Sequence, residues 1–129
     1  MEIMVHDPEA TVYPTSGDYV HAIAVRDPGR LVFVSGTMGL RPDGTPGVDL
    51  EQQLALVWSN IAAILGDAGA SLDDVVRVTS YLTDPSSADA NARARRRALG
   101  GRLVPTTAIV VRTLEDSWLV EIEVVAATP

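Results

Sequence analysis

The chain contains no cysteine, only two histidines and few aromatic residues. Without cysteine it can form no disulfide framework, carry no thiol nucleophile and build no thiolate metal site. His6 and His21 are too few and too far apart in sequence to indicate zinc. The sequence therefore predicts no metal site.

Long apolar runs and positive charge are also lacking. No apolar stretch approaches membrane-spanning length, and the N-terminus has no signal-peptide pattern. The formal net charge of -7 disfavours nucleic acid and anionic membrane surfaces. We therefore expect a cytoplasmic protein with neither partner. The basic run of Arg93, Arg95, Arg96 and Arg97 is interpreted as a solvated helix face, with a phosphate-binding patch as the weaker alternative.

The 129 residues, 47% of them hydrophobic, suit one domain over 1–129 with its own core. Residues 1–18 show little periodicity and are expected to form an arm or irregular edge. Apolar residues recur at helical spacing from Leu50 to Ala68, with Asp49 as N-cap and Gly69 as the stop. A second, partly exposed helix is predicted over 87–99.

Five short β-rich segments are predicted as strands: 19–25, 31–35, 75–82, 106–111 and 119–126. The turn residues Asp27-Pro28-Gly29 predict a hairpin between the first two, and residues 36–47 a long loop. The order β-β-α-β-α-β-β indicates an α+β fold, a mixed sheet with both helices on one face. The strands over 31–35 and 106–111 are apolar on both sides. We therefore expect other copies of the chain to cover the second face.

Short sequence elements along nearly the whole chain resemble the Rid (RidA/YjgF-type) family. They are Gly17-Asp18-Tyr19-Val20, Leu31-Val32-Phe33-Val34-Ser35-Gly36, Gln52-Gln53, Asn60-Ile61, Ala68-Gly69, Leu72-Asp73-Asp74-Val75-Val76, Asn91, Pro105 and Val120-Glu121-Ile122-Glu123. The resemblance implies a chorismate-mutase-like fold, a homotrimer and ligand clefts between subunits. It also implies hydrolysis of small imines or enamines such as 2-aminoacrylate, to a 2-keto acid and ammonium, without a cofactor.

The resemblance assigns Glu121 as the residue that positions the attacking water. Alternation along the strand places Glu123 on the same side, where a second carboxylate could raise a pKa. Both could instead lie at an exposed edge.

The remaining predicted site residues are substrate-binding: Tyr19, Ser35, Gly36, Asn91 and Thr107. Tyr19 could equally serve packing, Ser35 and Gly36 could mark a strand end, and Asn91 could cap a helix. His21, two residues after Tyr19, is a further candidate that is more often structural.

One position departs from the family pattern. Active deaminases carry Pro-x-Arg in the fourth strand, where the arginine binds the substrate carboxylate, but here Thr107 follows Pro105 and Thr106. Losing that charge-assisted pairing costs roughly 2–4 kcal/mol of binding, which argues against ordinary 2-aminoacrylate deaminase activity. Either another arginine (Arg41, Arg77 or Arg112) supplies the cation, or the ligand has no carboxylate.

Two functions remain open at this point. The first is a divergent hydrolase acting on a small imine, enamine or related reactive intermediate. The second is a non-catalytic trimeric module that binds a small metabolite or a partner. Nucleic-acid cleavage, sometimes attributed to the family, is disfavoured by the acidic balance.

Overall fold

The computed structural model describes residues 1–129. Six strands and two helices follow one another along the chain. They are β1 (Glu2–His6), β2 (Ala22–Arg26), β3 (Arg30–Met38), α1 (Leu50–Asp67), β4 (Val75–Leu82), α2 (Ala88–Ala98), β5 (Thr106–Val110) and β6 (Val120–Thr128). None of the helices is long and apolar enough to span a bilayer.

The limits of α1 follow from the chemistry of its ends. Asp49 accepts a hydrogen bond from the Gln52 backbone N–H at 2.9 Å, as a helix N-cap should. Gly69, just beyond the end, has a φ of +75°, which favours glycine and ends the helix. The Ser71–Asp74 capping box then leads directly into β4. The N-cap at Asp49 and the stop at Gly69 confirm the predicted limits of α1.

Strands β3 to β6 form one mixed sheet in the order β3-β6-β4-β5, in which β4 and β5 are parallel and the other pairs antiparallel. Helix α1 packs on β3 and β6, and α2 packs on α1. The α+β class and the placement of both helices on one face are thus confirmed. The core lies between sheet and helices, with Val57, Ile61 and Leu65 of α1 against Val78 and Ile122 of the sheet.

The other side of this sheet has no helix over it. Strand alternation and the observed register place one set of side chains on this side, here called the open face: Leu31, Phe33, Arg77, Thr79, Tyr81, Thr107, Ile109, Glu121, Glu123 and Val125. Within the chain Phe33 is 73% exposed, and Leu31 and Ile109 are about half exposed. The predicted site residues Thr107, Glu121 and Glu123 lie on this face.

The N-terminal predictions were partly wrong. Residues 2–6 are not irregular but form β1, which pairs antiparallel with β2 in a separate two-stranded sheet. Strand β2 therefore pairs with β1 and not with β3, so the predicted hairpin is absent. In the 27–29 turn, Asp27 has the positive φ (51°); aspartate tolerates this better than most residues. Strand β3 also extends three residues into the predicted loop, to Met38.

The basic run on α2 was interpreted partly incorrectly. Arg93, Arg96 and Arg97 are exposed, as predicted. Arg95, however, is only 3% exposed, and it donates hydrogen bonds to the backbone oxygen and the carboxylate of Asp18 at 2.6 and 2.9 Å. A four-residue solvated face was expected, but helical spacing turns one member inward, where it anchors the N-terminal segment.

Candidate active site

The open face carries three of the predicted site residues. Glu121 and Glu123 project from β6, and Thr107 projects from β5. All three are half-buried within the chain. Side chains two residues apart on a strand point to the same side, so Glu121 and Glu123 share a face. Both Thr107 and Glu123 pair with Thr79 of β4, which places Thr107 on that face as well.

The Glu121 side chain lies over the backbone of Gly36 in β3. A Cβ atom built on Gly36 would collide with the Glu121 carboxylate, so a larger residue here would displace that side chain. Ser35 and Gly36 interrupt the β3–β6 register between Val34 and Thr37, forming a local bulge. Bulges of this kind redirect side chains beside active sites. The Glu121 carboxylate makes no salt bridge or hydrogen bond within the chain and so is free to bind water.

A cavity of about 270 Å³ adjoins this carboxylate. Its lining residues are Gly36, Tyr81, Val111, Arg112, Thr113, Leu114, Glu121 and Glu123. Both carboxylates of the open face therefore reach one hollow. It is wide enough for a small metabolite and several waters, since one water occupies about 30 Å³ in the liquid.

Tyr81 separates the roles of the two carboxylates. Its hydroxyl donates a hydrogen bond to Glu123 Oε1 at 2.5 Å. This bond, together with desolvation and the negative charges of Glu123 and Glu121, raises the pKa of the Tyr81 phenol. The phenol therefore stays protonated through the neutral range, and Glu123 is occupied by it. Glu121 is left as the carboxylate without a partner.

Thr107 has a contact that strand position alone does not reveal. Its hydroxyl oxygen accepts a hydrogen bond from Arg77 Nη2 at 2.9 Å. Arg77 lies on β4, the strand parallel to β5, and reaches Thr107 across the open face. The position at which the resemblance implies an arginine is thus next to a guanidinium from the neighbouring strand.

A second, larger cavity of about 590 Å³ lies between β3, the segment around residues 40–42, and α1. Ser35 and Gly36 line it together with Arg41, Asn60 and Ile64. Gly36 also lines the smaller cavity, so this bulge forms the wall between the two hollows. Ile64, an apolar residue of α1, is 44% exposed and lines this cavity.

Two amide side chains of α1 hold the loops around these hollows. Gln53 donates to the carbonyls of Gly47 and Ser117 and accepts from the Leu119 backbone N–H. Asn60 donates to the carbonyls of Met38 and Leu40. These bonds satisfy buried backbone groups and fix both loops to one helix. Gln53 and Asn60 belong to the sequence elements quoted above, but no role had been predicted for them.

Tyr19 and His21 do not line either cavity within the chain. They were predicted to share a strand face, but β2 begins only at Ala22. Their rings contact each other edge-on, with centroids 6.0 Å apart. The His21 ring also hydrogen-bonds the Tyr13 carbonyl oxygen at 2.7 Å and packs on the Tyr13 ring. In a single chain His21 therefore makes structural contacts.

Asn91 lies on α2, on the helix side of the sheet, and is not brought next to Glu121 within the chain. It is 3% exposed, and its side-chain oxygen has no hydrogen-bond partner. Arg95 follows one turn later and binds Asp18, next to Tyr19. Neither Asn91 nor Tyr19 lines the Glu121 cavity within the chain.

Sequence reasoning gave too little weight to Arg77 and missed Tyr81. Both could have been found from β4 alone, since alternation through Val75–Leu82 places Arg77, Thr79 and Tyr81 on one face. Their partners Thr107 and Glu123 could not, because the register between strands is set by the fold.

Comparison with known proteins finds relatives of this chain. The family model described as Endoribonuclease L-PSP matches residues 10–128. A RutC family protein of Pyrococcus abyssi is 36% identical over 112 residues, which cover 85% of this chain and 86% of that protein. The RutC family protein YjgH of Escherichia coli is 44% identical over 70 residues, covering 54% of this chain and 53% of YjgH.

One relative has a name that refers to a reaction. The Escherichia coli protein TdcF, provisionally named a reactive intermediate deaminase, is 35% identical over 69 residues, or 53% of this chain and 51% of TdcF. The chain thus spans about half the length of YjgH and TdcF. Among solved structures, YyfB from Yersinia pestis, assigned to the conserved Rid protein family, superposes with a TM-score of 0.83 at 29% identity. That match covers 98% of this chain and 99% of YyfB.

Proposed function

The chain belongs to the Rid family, and from this premise we propose that it hydrolyses a small imine or enamine, releasing ammonia. The observation that carries the proposal is the Glu121 carboxylate, unpartnered, half-buried and held over Gly36 at the wall of a cavity. The name of TdcF supports the same reaction class.

The chemistry requires one water and one proton acceptor. An enamine that takes up a proton from solvent on carbon becomes a protonated imine. Glu121 accepts a proton from water as the water oxygen bonds to the carbon of this protonated imine, giving a neutral carbinolamine. Glu121 then returns its proton to the nitrogen, the C–N bond breaks as the hydroxyl becomes the carbonyl, and the departing ammonia takes the hydroxyl proton and leaves as ammonium. Tyr81, which stays protonated, is positioned to hold Glu123 and keep it from competing for the water.

We further propose that the site is shared between subunits of a homotrimer. Within one chain Thr107 pairs with Thr79 while Glu121 pairs with Tyr81, so they stand two strands and two residues apart. At ordinary strand spacing this separation is about 12 Å, too far for one small molecule to contact both. The exposed apolar residues of the open face favour a second copy covering it. A neighbour's Thr107 would then face Glu121.

A binding module without catalysis is the second candidate, because Thr107 stands where active deaminases carry arginine. The family description also names an endoribonuclease. The two carboxylates beside the cavity and the net charge of -7 disfavour a polyanion at this site, so RNA is not proposed as the substrate.

The test is ammonium release from enzymatically generated 2-aminoacrylate, measured above its spontaneous hydrolysis. Glu121→Gln should lower the catalysed rate by roughly a hundred- to ten-thousandfold, the range for losing a positioned base. Glu51→Gln, an exposed carboxylate on α1 on the far side of the sheet, is the matched control and should retain full activity. An unchanged rate in Glu121→Gln would refute the proposal. No activity in the wild-type protein, with a metabolite retained in native mass spectrometry, would favour the binding module.

A further inference from the structure

We infer that Arg77 is the group that binds the substrate carboxylate, with Thr107 as its positioning residue, so that the substrate is an acid despite the missing family arginine. This inference takes its reaction from the proposed function, whereas the binding of an acid by Arg77 stands independently of that reaction. The arginine that binds the carboxylate then lies on β4, next to the β5 position at which the resemblance implies an arginine.

The first support is geometric. Arg77 Nη2 donates to the Thr107 hydroxyl at 2.9 Å, which fixes the guanidinium above the position where the arginine would otherwise stand. Only one of the five N–H donors of the Arg77 guanidinium forms a hydrogen bond within the chain. The remaining donors include the second terminal nitrogen, so the planar fork remains available to a carboxylate.

The second support is charge. Arg77 forms no salt bridge within the chain, although two glutamates share its face. It also borders a hollow of about 230 Å³ together with Phe33, Thr79 and Glu123. An exposed arginine held by a neutral hydroxyl, beside a hollow and without a counter-ion, is suited to bind an anionic group.

The other two candidate arginines are less suitable. Arg41 already donates to the Pro46 carbonyl at 2.9 Å and to the Gln52 side chain at 3.0 Å. The Arg112 side chain is 89% exposed, and its Nη2 atom lies 3.9 Å from Oδ1 of Asp116, four residues later in the sequence. Neither forms a hydrogen bond with Thr107. Arg77 alone combines a fixed guanidinium with free donors at the family's anchor position.

The test uses pyruvate, the 2-keto acid product, as a binding probe, with methyl pyruvate as its uncharged counterpart. Affinities are measured by ligand-observed NMR on the full-length protein. Arg77→Gln should weaken pyruvate binding roughly ten- to a hundredfold, since a charge-assisted hydrogen bond is lost, and should leave methyl pyruvate within about twofold. Arg77→Lys should retain part of the affinity. Arg93→Gln, on exposed α2, is the matched control and should bind like the wild-type protein.

Thr107 gives a second, independent arm. Thr107→Val keeps the shape but removes the acceptor, so pyruvate affinity should fall by about three- to tenfold, whereas Thr107→Ser should restore it. Pyruvate binding unchanged in Arg77→Gln, equal loss for the acid and its ester, loss in Arg112→Gln instead, or no pyruvate binding by the wild-type protein would each overturn the inference. Arg77-dependent pyruvate binding in a protein without turnover would overturn only the proposed reaction.

Discussion

The two faces of the four-stranded sheet differ in what they bury. The helix-covered face presents Val78, Ile122 and Val124 to α1 and α2, and each is at most 2% exposed. The open face presents carboxylates, a tyrosine, an arginine and an exposed phenylalanine from the same strands. One set of strands thus stabilises the fold on one side and presents reactive groups on the other. Substitutions on the two faces should therefore affect different properties.

The largest effect on folding is expected on the helix-covered face. Ile122→Ala removes a fully buried side chain and should lower the free energy of unfolding by about 2–5 kcal/mol, through lost burial and the cavity left behind. Val125→Ala, on the open face of the same strand, should cost about 1 kcal/mol. Urea denaturation at one fixed protein concentration compares them. Equal losses of unfolding free energy in the two variants would mean that the open face contributes to the core as much as the helix-covered face does.

The next effect should appear in assembly. Phe33→Ala removes the most exposed aromatic side chain of the open face and should weaken association by about 2–4 kcal/mol, as for a central interface residue. Sedimentation velocity over a range of concentrations would show the trimer dissociating. Val48→Ala, an equally exposed apolar residue on a loop, is the control and should not change assembly. A wild-type protein that sediments as a monomer would contradict the trimer.

A smaller effect is expected where α2 holds the N-terminal segment. Asp18→Asn leaves Arg95 buried without its ion-pair partner and should cost about 1–3 kcal/mol of stability at pH 7. Hydrogen bonding from Ser16, with the charge of Arg95, lowers the pKa of Asp18. The stabilisation is therefore present above the ordinary carboxyl pKa and is lost as pH falls through the lowered value. Thermal unfolding of both proteins at pH 7 and pH 3 should show the difference shrinking, and a difference that grows on acidification would contradict this.

The smallest effect is spectroscopic. Because Glu123 raises the pKa of Tyr81, one of the three tyrosines should ionise later than free tyrosine. The contribution of this bond to stability is present below the ordinary tyrosine pKa and is lost as pH rises through the raised value. Ultraviolet titration should show the late component disappearing in Tyr81→Phe and moving to lower pH in Glu123→Gln. A late component that persists in Tyr81→Phe would assign it to another tyrosine.

Local chemistry was sufficient to predict the framework. The Asp49 cap and the Gly69 stop lie next to the helix that they delimit, so its limits follow from sequence. The β-rich composition of residues 75–82 and 106–111 likewise predicted β4 and β5, and strand alternation predicted the shared face of Glu121 and Glu123. The family resemblance supplied the assignment of Glu121 to catalysis, which the pattern alone could not.

The errors arose where partners are distant in sequence. Strand β2 was expected to pair with β3, its neighbour along the chain, but pairs with residues 2–6 instead. Arg95 was assigned to solvent because its partner Asp18 lies 77 positions away. The Arg77–Thr107 contact depends on β4 and β5 being adjacent and parallel, with α2 between them in sequence. No local signal specifies such pairings.

The most direct test of the shared open-face site is complementation between inactive subunits. Glu121→Gln removes the water-positioning carboxylate, and Thr107→Glu places a carboxylate against Arg77 and blocks the acid-binding end. Each protein alone should fail to release ammonium from 2-aminoacrylate. When they are unfolded, mixed in equal amounts and refolded together, random cyclic trimers should regain about a quarter of wild-type activity, because one site in four combines an intact Glu121 with a neighbour's intact Thr107. Mixed trimers with no recovered activity would contradict a site built from two subunits.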